Sequence, residues 1–462
     1  MRKSIEGLRL AGAMICALII IAAPLSAGGK QEEAPGLVTL KWYGAGWEAN
    51  RKAATLIERY NQKNPGVKIE YTELNNLVND QFFQKYDTLI AAGEQCDLVY
   101  LQVSQILNRA INGAMLPLND QIKATGSDFK KDYGDVALSM FAIDGNVYGV
   151  PYANNTFKVF YNKDMLAKKG ITIPQDWTWA QFKDIAVKMN DPAAGVYGSF
   201  LPLTWWELTY ALAEQGGWKM IVSENGKPKA NFTDPLFRKA MEILYDLTMV
   251  SKVNPDLGTA KAEKLNRRIY FAEKRTPMIV DGYYALIYLQ GYQFDTEGSK
   301  PLDFEIGVAE FPRLDESTSK DVTHAVLIGG FGIPKTAKHN LEAFKFARFV
   351  CNENMDFVGG IPALKGADIS PVIKSFVNYI DKKGVSHTNV YPESVVRSAL
   401  TISKQDHMSY YKMDPVLYAK YSAVLDQLYS QQYELFFTGQ QSLNDFINTL
   451  QQRATEEIAR MQ

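Results

Sequence analysis

The residue types that carry most enzyme chemistry are present, but not in the spacings that catalysis or metal binding requires. The sequence contains no Gly-x-Ser-x-Gly, His-Glu-x-x-His or Cys-x-x-Cys motif, and no phosphate loop ending in Gly-Lys-Ser/Thr. Its histidines share no short ligand spacing: His324, His339, His387 and His407. We therefore predict no catalytic residue, no metal site and no cofactor. A carboxylate pair suited to glycosidic cleavage stays open, because any of the 51 acidic residues could meet in space.

One glycine-rich stretch resembles half of a nucleotide-binding loop. It reads Gly329-Gly330-Phe331-Gly332 and continues into Ile333-Pro334, with neither a Lys-Ser/Thr pair nor an immediate helix. Glycine inside a strand pattern is typical of a place where two backbones approach closely. We predict such an approach here, at a segment that crosses between two parts of the fold.

Aromatic residues are the positive signal for a binding site. The chain has 25 Tyr, 23 Phe and 7 Trp, and several of them stand where a strand or turn ends. Ring faces can stack on the C–H bonds of a sugar, while polar edges nearby bind its hydroxyl groups. The alternative, that these rings fill the core, stays open for each residue taken singly. The candidates are Trp42, Tyr43, Trp47, Trp205, Trp206, Tyr283 and Tyr284.

Strands and helices alternate in the first part of the chain. Apolar alternation predicts strands at 37–43, 67–71 and 97–101, and helical spacing of apolar residues predicts helices at 50–64 and 81–92. A hairpin follows near 141–152, strands recur near 276–280 and 322–333, and the pattern is mostly helical beyond 375. We predict an α/β fold of two lobes, each a mostly parallel sheet flanked by helices, with segments crossing between them near 150 and 325.

Length and charge exclude several classes of protein. The chain of 462 residues is long enough for two or three domains, and its hydrophobic fraction of 46% argues against disorder. The 50 basic residues balance the 51 acidic ones, so the sequence has no overall basic character for binding nucleic acid.

The N-terminal segment has the pattern of an export signal. Arg2, Lys3 and Arg9 precede an apolar run at 10–25 and the small residues at 26–29. We predict a signal peptide at 1–27, cleaved after Ala27, and a flexible leader at 28–36. A retained signal anchor is the alternative. Cys16 lies inside the apolar run without a lipidation motif, so two cysteines would remain, Cys96 and Cys351. Their spacing leaves a disulfide open, but we expect both to be buried and unpaired.

Ordered motifs spanning about 37–455 resemble one known family. The most specific stretch is 148–166, Tyr-Gly-Val-Pro-Tyr followed by Val-Phe-Tyr-Asn-Lys-Asp-Met-Leu, and then Trp177-Thr178-Trp179. The stretches at 60–67, 91–99, 114–119, 329–335 and 437–440 also match in order and spacing. The chain is similar to family 1 extracellular solute-binding proteins of ABC importers, which include maltose-binding sugar receptors.

The resemblance implies a receptor that performs no chemistry. Two lobes, 37–148 with 325–375 and 149–324 with 376–462, would close on a small ligand by bending at the crossings. The protein would be periplasmic and monomeric, and would deliver a sugar to the permease subunits of an ABC importer. A non-sugar solute such as a glycerol-phosphate compound is the alternative ligand, and a secreted glycoside hydrolase is the alternative class. The binding residues implied are Trp47, Ser104, Asn154, Trp205, Trp206, Tyr283, Tyr284 and Gly330.

Overall fold

The computed structural model describes residues 36–50, 53–76, 78–203, 206–319, 323–324, 326–401, 408–409 and 415–461. The predicted signal peptide, most of the predicted leader and Trp205 lie outside the described residues. Helices and strands alternate through the first half of the chain and helices dominate its end, as the sequence pattern predicts.

The strands are short, and most bury at least one face. In chain order they are β1 (Val38–Ala45), β2 (Val67–Asn75), β3 (Leu98–Leu101), β4 (Ala142–Ile143), β5 (Asn146–Val147), β6 (Val150–Asn155), β7 (Lys158–Asn162), β8 (Ile221–Glu224), β9 (Lys227–Ala230), β10 (Met278–Asp281), β11 (Ile306–Glu310), β12 (Thr323–His324), β13 (Val326–Gly332), β14 (Ile361–Pro362), β15 (Tyr379–Ile380), β16 (Ser386–His387) and β17 (Met408–Ser409).

The helices range from one turn to six. They are α1 (Gly46–Asn50), α2 (Ala53–Lys63), α3 (Asp80–Ala91), α4 (Val103–Ile111), α5 (Asn119–Ala124), α6 (Phe129–Met140), α7 (Lys163–Lys168), α8 (Trp179–Met189), α9 (Trp206–Glu214), α10 (Pro235–Tyr245), α11 (Leu257–Ala262), α12 (Arg267–Ala272), α13 (Tyr284–Asp295), α14 (Asn340–Glu353), α15 (Met355–Val358), α16 (Ser370–Val377), α17 (Glu393–Leu400), α18 (Pro415–Phe437) and α19 (Leu443–Arg460).

The first sheet has six strands in the order β14-β6-β13-β3-β1-β2. Strand β1 pairs in parallel with both β2 and β3, which confirms the βαβ units predicted from the alternation. Strands β6 and β13 lie beside them in antiparallel pairs. All four residues of β3 are buried, because the sheet is covered on both faces.

The second sheet, in the order β10-β7-β11, has antiparallel pairs on both sides of β7, so the prediction of a mostly parallel sheet in each lobe is wrong for this sheet. Phe200 adds a parallel bridge to Ile279, so the segment after Phe200 leaves the sheet at the same edge as β10. Side chains alternate along β7, since Val159 packs into one apolar core and Phe160 into the other.

Two hydrophobic cores flank these sheets. The first is built around β1, β3, α14 and α15, and it also takes in Leu286 and Leu289 of α13 and Val396 of α17. The second gathers α8, α9 and α10 with the C-terminal helices α18 and α19. The chain passes from the first sheet to the second between Asn155 and Lys158, and it returns between β11 and β13. The predicted lobe boundaries stay a prediction.

The glycines of the return strand confirm the predicted close approach of backbones. A Cβ on Gly329 would lie 2.4 Å from the Leu101 carbonyl oxygen, and one on Gly330 would lie 2.5 Å from the Val150 carbonyl oxygen. Any larger residue would push β13 away from its two neighbours. These glycines therefore serve strand packing, and they are not part of a phosphate loop.

Candidate functional site

Hydrogen bonds fix the junction between β1 and α1, and Trp47 lies in α1 at the carboxyl end of the first sheet. Glu48 accepts a hydrogen bond from the Ala45 N–H at 2.6 Å, and the Tyr71 hydroxyl donates to the Ala45 carbonyl oxygen at 2.6 Å. A Cβ on Gly44 would lie 2.4 Å from both Glu48 and Tyr71, so only glycine fits there. Open α/β sheets bind ligands at this edge.

Three aromatic residues meet at this edge and are here named the aromatic cluster: Trp47, Tyr100 and Tyr152. The centroid of the Trp47 ring lies 5.1 Å from that of Tyr100 and 6.0 Å from that of Tyr152. The Tyr100 and Tyr152 rings meet edge to face at 5.5 Å. Tyr100 and Tyr152 are buried, whereas Trp47 is half-buried, so Trp47 is the member with surface for a ligand.

The floor of the aromatic cluster is fixed by hydrogen bonds to the backbone. The Tyr152 hydroxyl lies 3.0 Å from the Phe357 carbonyl oxygen and 3.1 Å from that of Val358, and it donates to them. Phe331 packs edge to face beneath Tyr152, with ring centroids 5.6 Å apart. These contacts tie the outgoing strand β6 to the return strand β13 and to α15.

The crossing strand β6 continues from the aromatic cluster toward the second sheet. Asn154 is 4% exposed, and its side-chain amide donates to the Pro362 carbonyl oxygen at 3.4 Å. Asn155 reaches the end of β10, because a Cβ on Gly282 would lie 2.5 Å from its Oδ1. The ends of β1, β3, β6 and β10 therefore lie along one continuous path.

A group of charged residues occupies the carboxyl end of β10, and we name it the charged cluster: Arg267, Arg268 and Asp281. Asp281 is fully buried, and its Oδ2 accepts hydrogen bonds from Arg267 Nε at 2.9 Å and from Arg268 Nε at 2.7 Å. Its Oδ1 accepts from Arg268 Nη2 at 3.1 Å and from the Gly282 N–H at 2.9 Å. One carboxylate therefore orients two guanidinium groups.

Aromatic rings enclose the Arg268 guanidinium. Its carbon lies 3.9 Å from the ring centroid of Tyr288 and 5.4 Å from that of Tyr284. Burial and the negative charge of Asp281 raise the pKa of Tyr284, against the opposite effect of the two arginines. Tyr284 is half-buried and Tyr288 is 54% exposed, so this end of the site also offers aromatic surface.

A pocket of about 190 Å³ adjoins the charged cluster. It lies where the segment after Phe200 and strand β10 leave the second sheet together. The described residues that line it are Phe200, Leu201, Pro202, Leu203, Pro255, Leu257, Ala260, Lys261, Lys264, Leu265, Asn266, Arg267 and Arg268. Apolar walls with a few charged groups are typical of ligand sites.

The structure brings together some of the residues predicted from sequence and separates others. Trp47 belongs to the aromatic cluster, and Ser104 is half-buried in the first turn of α4, directly after β3. Tyr283 is 3% exposed and packs under Gly360, where a Cβ would lie 2.3 Å from its hydroxyl oxygen. Trp205 lies outside the described residues, and Trp206 begins α9. The ligand roles of all predicted site residues stay predictions.

Sequence reasoning missed the charged cluster and most of the aromatic cluster. Two consecutive arginines after Asn266, and an aspartate at the end of a predicted strand, were the available signals for the first. Tyr100 and Tyr152 ended or occupied predicted apolar strands, where a buried ring is the ordinary expectation. Only the pairing of β3, β13 and β6 shows that these two rings meet.

Both described cysteines are buried and free, which confirms the expectation for Cys96 and Cys351. Burial raises the pKa of each thiol, so neither is activated as a nucleophile. Across the described parts of the chain, no three His, Cys, Asp or Glu side chains are grouped as a metal site requires. None of the described helices combines the length and the apolar character needed to cross a membrane.

The sequence of this chain is similar to those of known proteins over much of its length. Residues 45–353 match the family described as bacterial extracellular solute-binding protein. A putative ABC transporter periplasmic-binding protein of Escherichia coli, YcjN, is 26% identical over 249 residues, which are 52% of this chain and 54% of that protein. A multiple sugar-binding protein of Streptococcus mutans is 20% identical over 331 residues, 68% of this chain and 71% of that protein. The chain thus spans about half the length of the Escherichia coli relative.

Solved structures resemble the whole described fold. The Listeria monocytogenes ABC substrate-binding protein Lmo0181, in complex with cycloalternan, has a TM-score of 0.72 at 18% identity, covering 92% of this chain and 99% of that one. The sugar-binding protein MalE of Xanthomonas citri has a TM-score of 0.72 at 18% identity, covering 92% and 98%. At these identities the likeness shows the fold, and it confirms the two-lobe α/β class predicted from the sequence.

Proposed function

The chain belongs to the bacterial extracellular solute-binding protein family, and on that premise we propose that it captures a sugar between its two lobes and delivers it to the permease subunits of an ABC importer. Relatives named for binding sugars support the sugar as ligand, among them the multiple sugar-binding protein of Streptococcus mutans and an arabinooligosaccharide-binding protein of Halalkalibacterium halodurans. The protein acts as a receptor and not as an enzyme.

The observation that carries the proposal is the aromatic surface at the strand ends. Trp47 on the side of the first sheet, and Tyr284 and Tyr288 on the side of the second, keep part of their rings accessible. Such rings stack on the apolar face of a pyranose, while the charged cluster nearby supplies hydrogen-bond donors for its hydroxyl groups. Trp205, Trp206, Ser104, Asn154, Tyr283 and Gly330 remain further candidates for this site.

Two of the buried carboxylates, Asp281 and Glu48, lie at the strand ends that form the proposed site, and their hydrogen bonds support binding over glycosidic cleavage. A glycosidase needs one carboxylic acid that donates a proton and a second carboxylate that acts as base or nucleophile. Asp281 is fully engaged by two arginines and the Gly282 N–H, and Glu48 is committed to the Ala45 N–H. Both groups hold the site together instead of facing a scissile bond.

The two connections between the sheets support closure by hinge bending. The link from Asn155 to Lys158 is short, and β13 leads the chain back into the first sheet through paired glycines. Bending at such connections lets two packed bodies close on a ligand without repacking either one. We place the protein in the periplasm as a monomer, after cleavage of the signal peptide at Ala27, and intact-mass measurement of the exported protein tests that cleavage.

A ligand screen tests the proposed function. Purified mature protein is heated with individual mono- and oligosaccharides, and a ligand present at about 100 times its Kd should stabilise the native state by roughly 2.7 kcal/mol. Small-angle scattering with the best ligand should then show a smaller radius of gyration. Product analysis of the same mixtures should show intact sugar. Cleaved sugar, or a confirmed ligand without compaction, would contradict a hinged receptor.

A further inference from the structure

The pocket beside the charged cluster is positively charged. Four of its described lining residues are cationic, namely Lys261, Lys264, Arg267 and Arg268, and the described lining contains no aspartate or glutamate. Neutral sugars need hydrogen-bonding groups of both kinds, and such sites usually mix donors with carboxylates and amides. A pocket with four cationic donors is suited to a ligand group that only accepts hydrogen bonds.

Nearby carboxylates compensate only part of this charge. Lys261 pairs with Glu434 at 2.8 Å, and Asp281 serves both arginines. Lys264 is exposed and makes no ion pair with any residue that the structure describes. Lys264 is therefore the lining cation that no described carboxylate compensates, and it lines the same pocket as the anchored Arg267.

The geometry also keeps the cations in place before a ligand arrives. The side chains of Arg267 and Arg268 are each only 11% exposed, and both are anchored through Nε to the same Oδ2 of Asp281. Packing of Arg268 against Tyr288 restricts it further. A planar guanidinium held in one orientation is well suited to a carboxylate or phosphate, because its N–H groups form a fork that matches two oxygens.

We infer that the ligand is an acidic sugar, whose carboxylate or phosphate enters this pocket and contacts Arg267 and Lys264. The inference rests on the proposed function and narrows it to one class of substrate. The aromatic surfaces bind the sugar ring, and the pocket favours an acidic sugar over the neutral sugar with the same ring. Its volume of about 190 Å³ accommodates one anionic group with the adjoining carbons.

Matched pairs of ligands test this inference by titration calorimetry at low and at physiological salt. One arm compares α-1,4-digalacturonate with α-1,4-galactobiose, and the other compares glucose 6-phosphate with glucose. In at least one arm the acidic member should bind about tenfold more tightly or better, as expected for hydrogen bonds to a charged group, and added salt should reduce the difference. The arm that shows it distinguishes a sugar carboxylate from a sugar phosphate.

Single substitutions locate the effect. Lys264→Met should weaken binding of the acidic sugar up to about fivefold and leave the affinity for the neutral partner almost unchanged. Arg267→Met should weaken binding of the acidic sugar about tenfold, and it should weaken binding of the neutral partner less than that. Lys252→Met is the matched control, since Lys252 is also exposed and has a similar positive φ of 48° against 52° for Lys264. If Arg267→Met fails to fold, Lys264→Met still tests whether a cation of this pocket binds the acidic group.

The outcomes separate the two proposals. Neutral sugars that bind as tightly as their acidic partners, or an acidic sugar whose affinity is unchanged in Lys264→Met and Arg267→Met, would overturn the inference and leave the receptor function intact. If neither these pairs nor the wider set of oligosaccharides stabilises the protein, the proposed function itself fails, and the inference fails with it.

Discussion

The aromatic cluster and the charged cluster occupy equivalent places, at the carboxyl ends of strands in the first and second sheets, but different forces hold them. Ring contacts and hydrogen bonds to carbonyl groups fix Trp47, Tyr100 and Tyr152. A single buried carboxylate, Asp281, fixes Arg267 and Arg268. The first arrangement distributes its stability over many small contacts, whereas the second depends on one residue.

Because of this difference, the aromatic cluster should contribute mainly to the affinity for sugars, and the charged cluster mainly to the selection among them. Aromatic stacking accepts any ring with an apolar face, so the aromatic cluster suits a broad range of sugars. Burying a cation has a large desolvation cost, and a ligand offsets that cost only if it supplies the opposite charge. The two sides of the site should therefore respond differently to substitution.

Removing the shared counter-ion should have the largest effect. Asp281→Ala leaves two largely buried guanidinium groups without their carboxylate, and this should lower the free energy of unfolding by about 3–5 kcal/mol. Urea unfolding of the mature protein measures it. Glu305→Gln is the control, because its ion pair with Lys163 is exposed and should contribute little. Equal effects of the two variants would show that the charged cluster does not depend on Asp281.

Truncation of Trp47 should affect binding more than folding. Trp47→Ala removes the accessible ring of the aromatic cluster and should cost about 2 kcal/mol of binding free energy, roughly 30-fold in affinity. Tyr245→Ala is the control, since Tyr245 is also half-buried but stacks on Phe436 of α18. Calorimetry with the best ligand and melting of the free protein are measured together. A large loss of stability with unchanged affinity would show that Trp47 is a core residue.

Loss of the Tyr152 hydroxyl should have a moderate effect on stability. Tyr152→Phe removes the donor to the carbonyl groups of Phe357 and Val358 and should destabilise the native state by about 1 kcal/mol. Tyr148→Phe is the control, because the hydroxyl of Tyr148 has no hydrogen-bond partner among the described residues. Identical unfolding curves for both variants would mean that the floor of the aromatic cluster is held by packing alone.

Acid should weaken the second core slightly through Asp246. Burial opposes ionisation, but hydrogen bonds from Lys183 and Ser251 outweigh it and lower the pKa of the Asp246 carboxyl. A lowered pKa stabilises the native state above the unfolded value of about 3.9, and the contribution is lost as the pH falls through the folded value. Asp246→Asn should therefore reduce the loss of stability below about pH 4. The exposed Asp120→Asn should leave that dependence unchanged.

Local pattern predicted most of the elements that carry the site. The alternation at 67–71 became β2, the helical spacing at 81–92 became α3, and the hairpin near 141–152 formed with Asp144 and Gly145 at positive φ. These elements form because of contacts between residues close in sequence, or because a helix or strand has one apolar face that any apolar surface can cover. Helix and strand ends moved by a few residues, because tertiary contacts decide where a terminal turn frays.

The site itself depended on contacts between distant residues. Nothing in the sequence around Arg268 shows that Asp281 would neutralise it, or that Tyr288 would cover it, because these contacts require α12, β10 and α13 to pack at one strand end. Likewise the adjacent residues Tyr283 and Tyr284 look alike in sequence, yet one is buried under Gly360 and the other lies beside a guanidinium.

Residue order and pattern alone establish the family, the two-lobe α/β class and the close approach of backbones at the glycines of the return strand. Each of these follows from residue order, from periodicity or from a backbone position that only one residue type can occupy. Which aromatic rings keep an accessible face, which charges share a counter-ion and whether the cysteines pair depend on how distant parts of the chain pack. Burial and electrostatic compensation are properties of surfaces that meet in space, and residues far apart in the chain supply them.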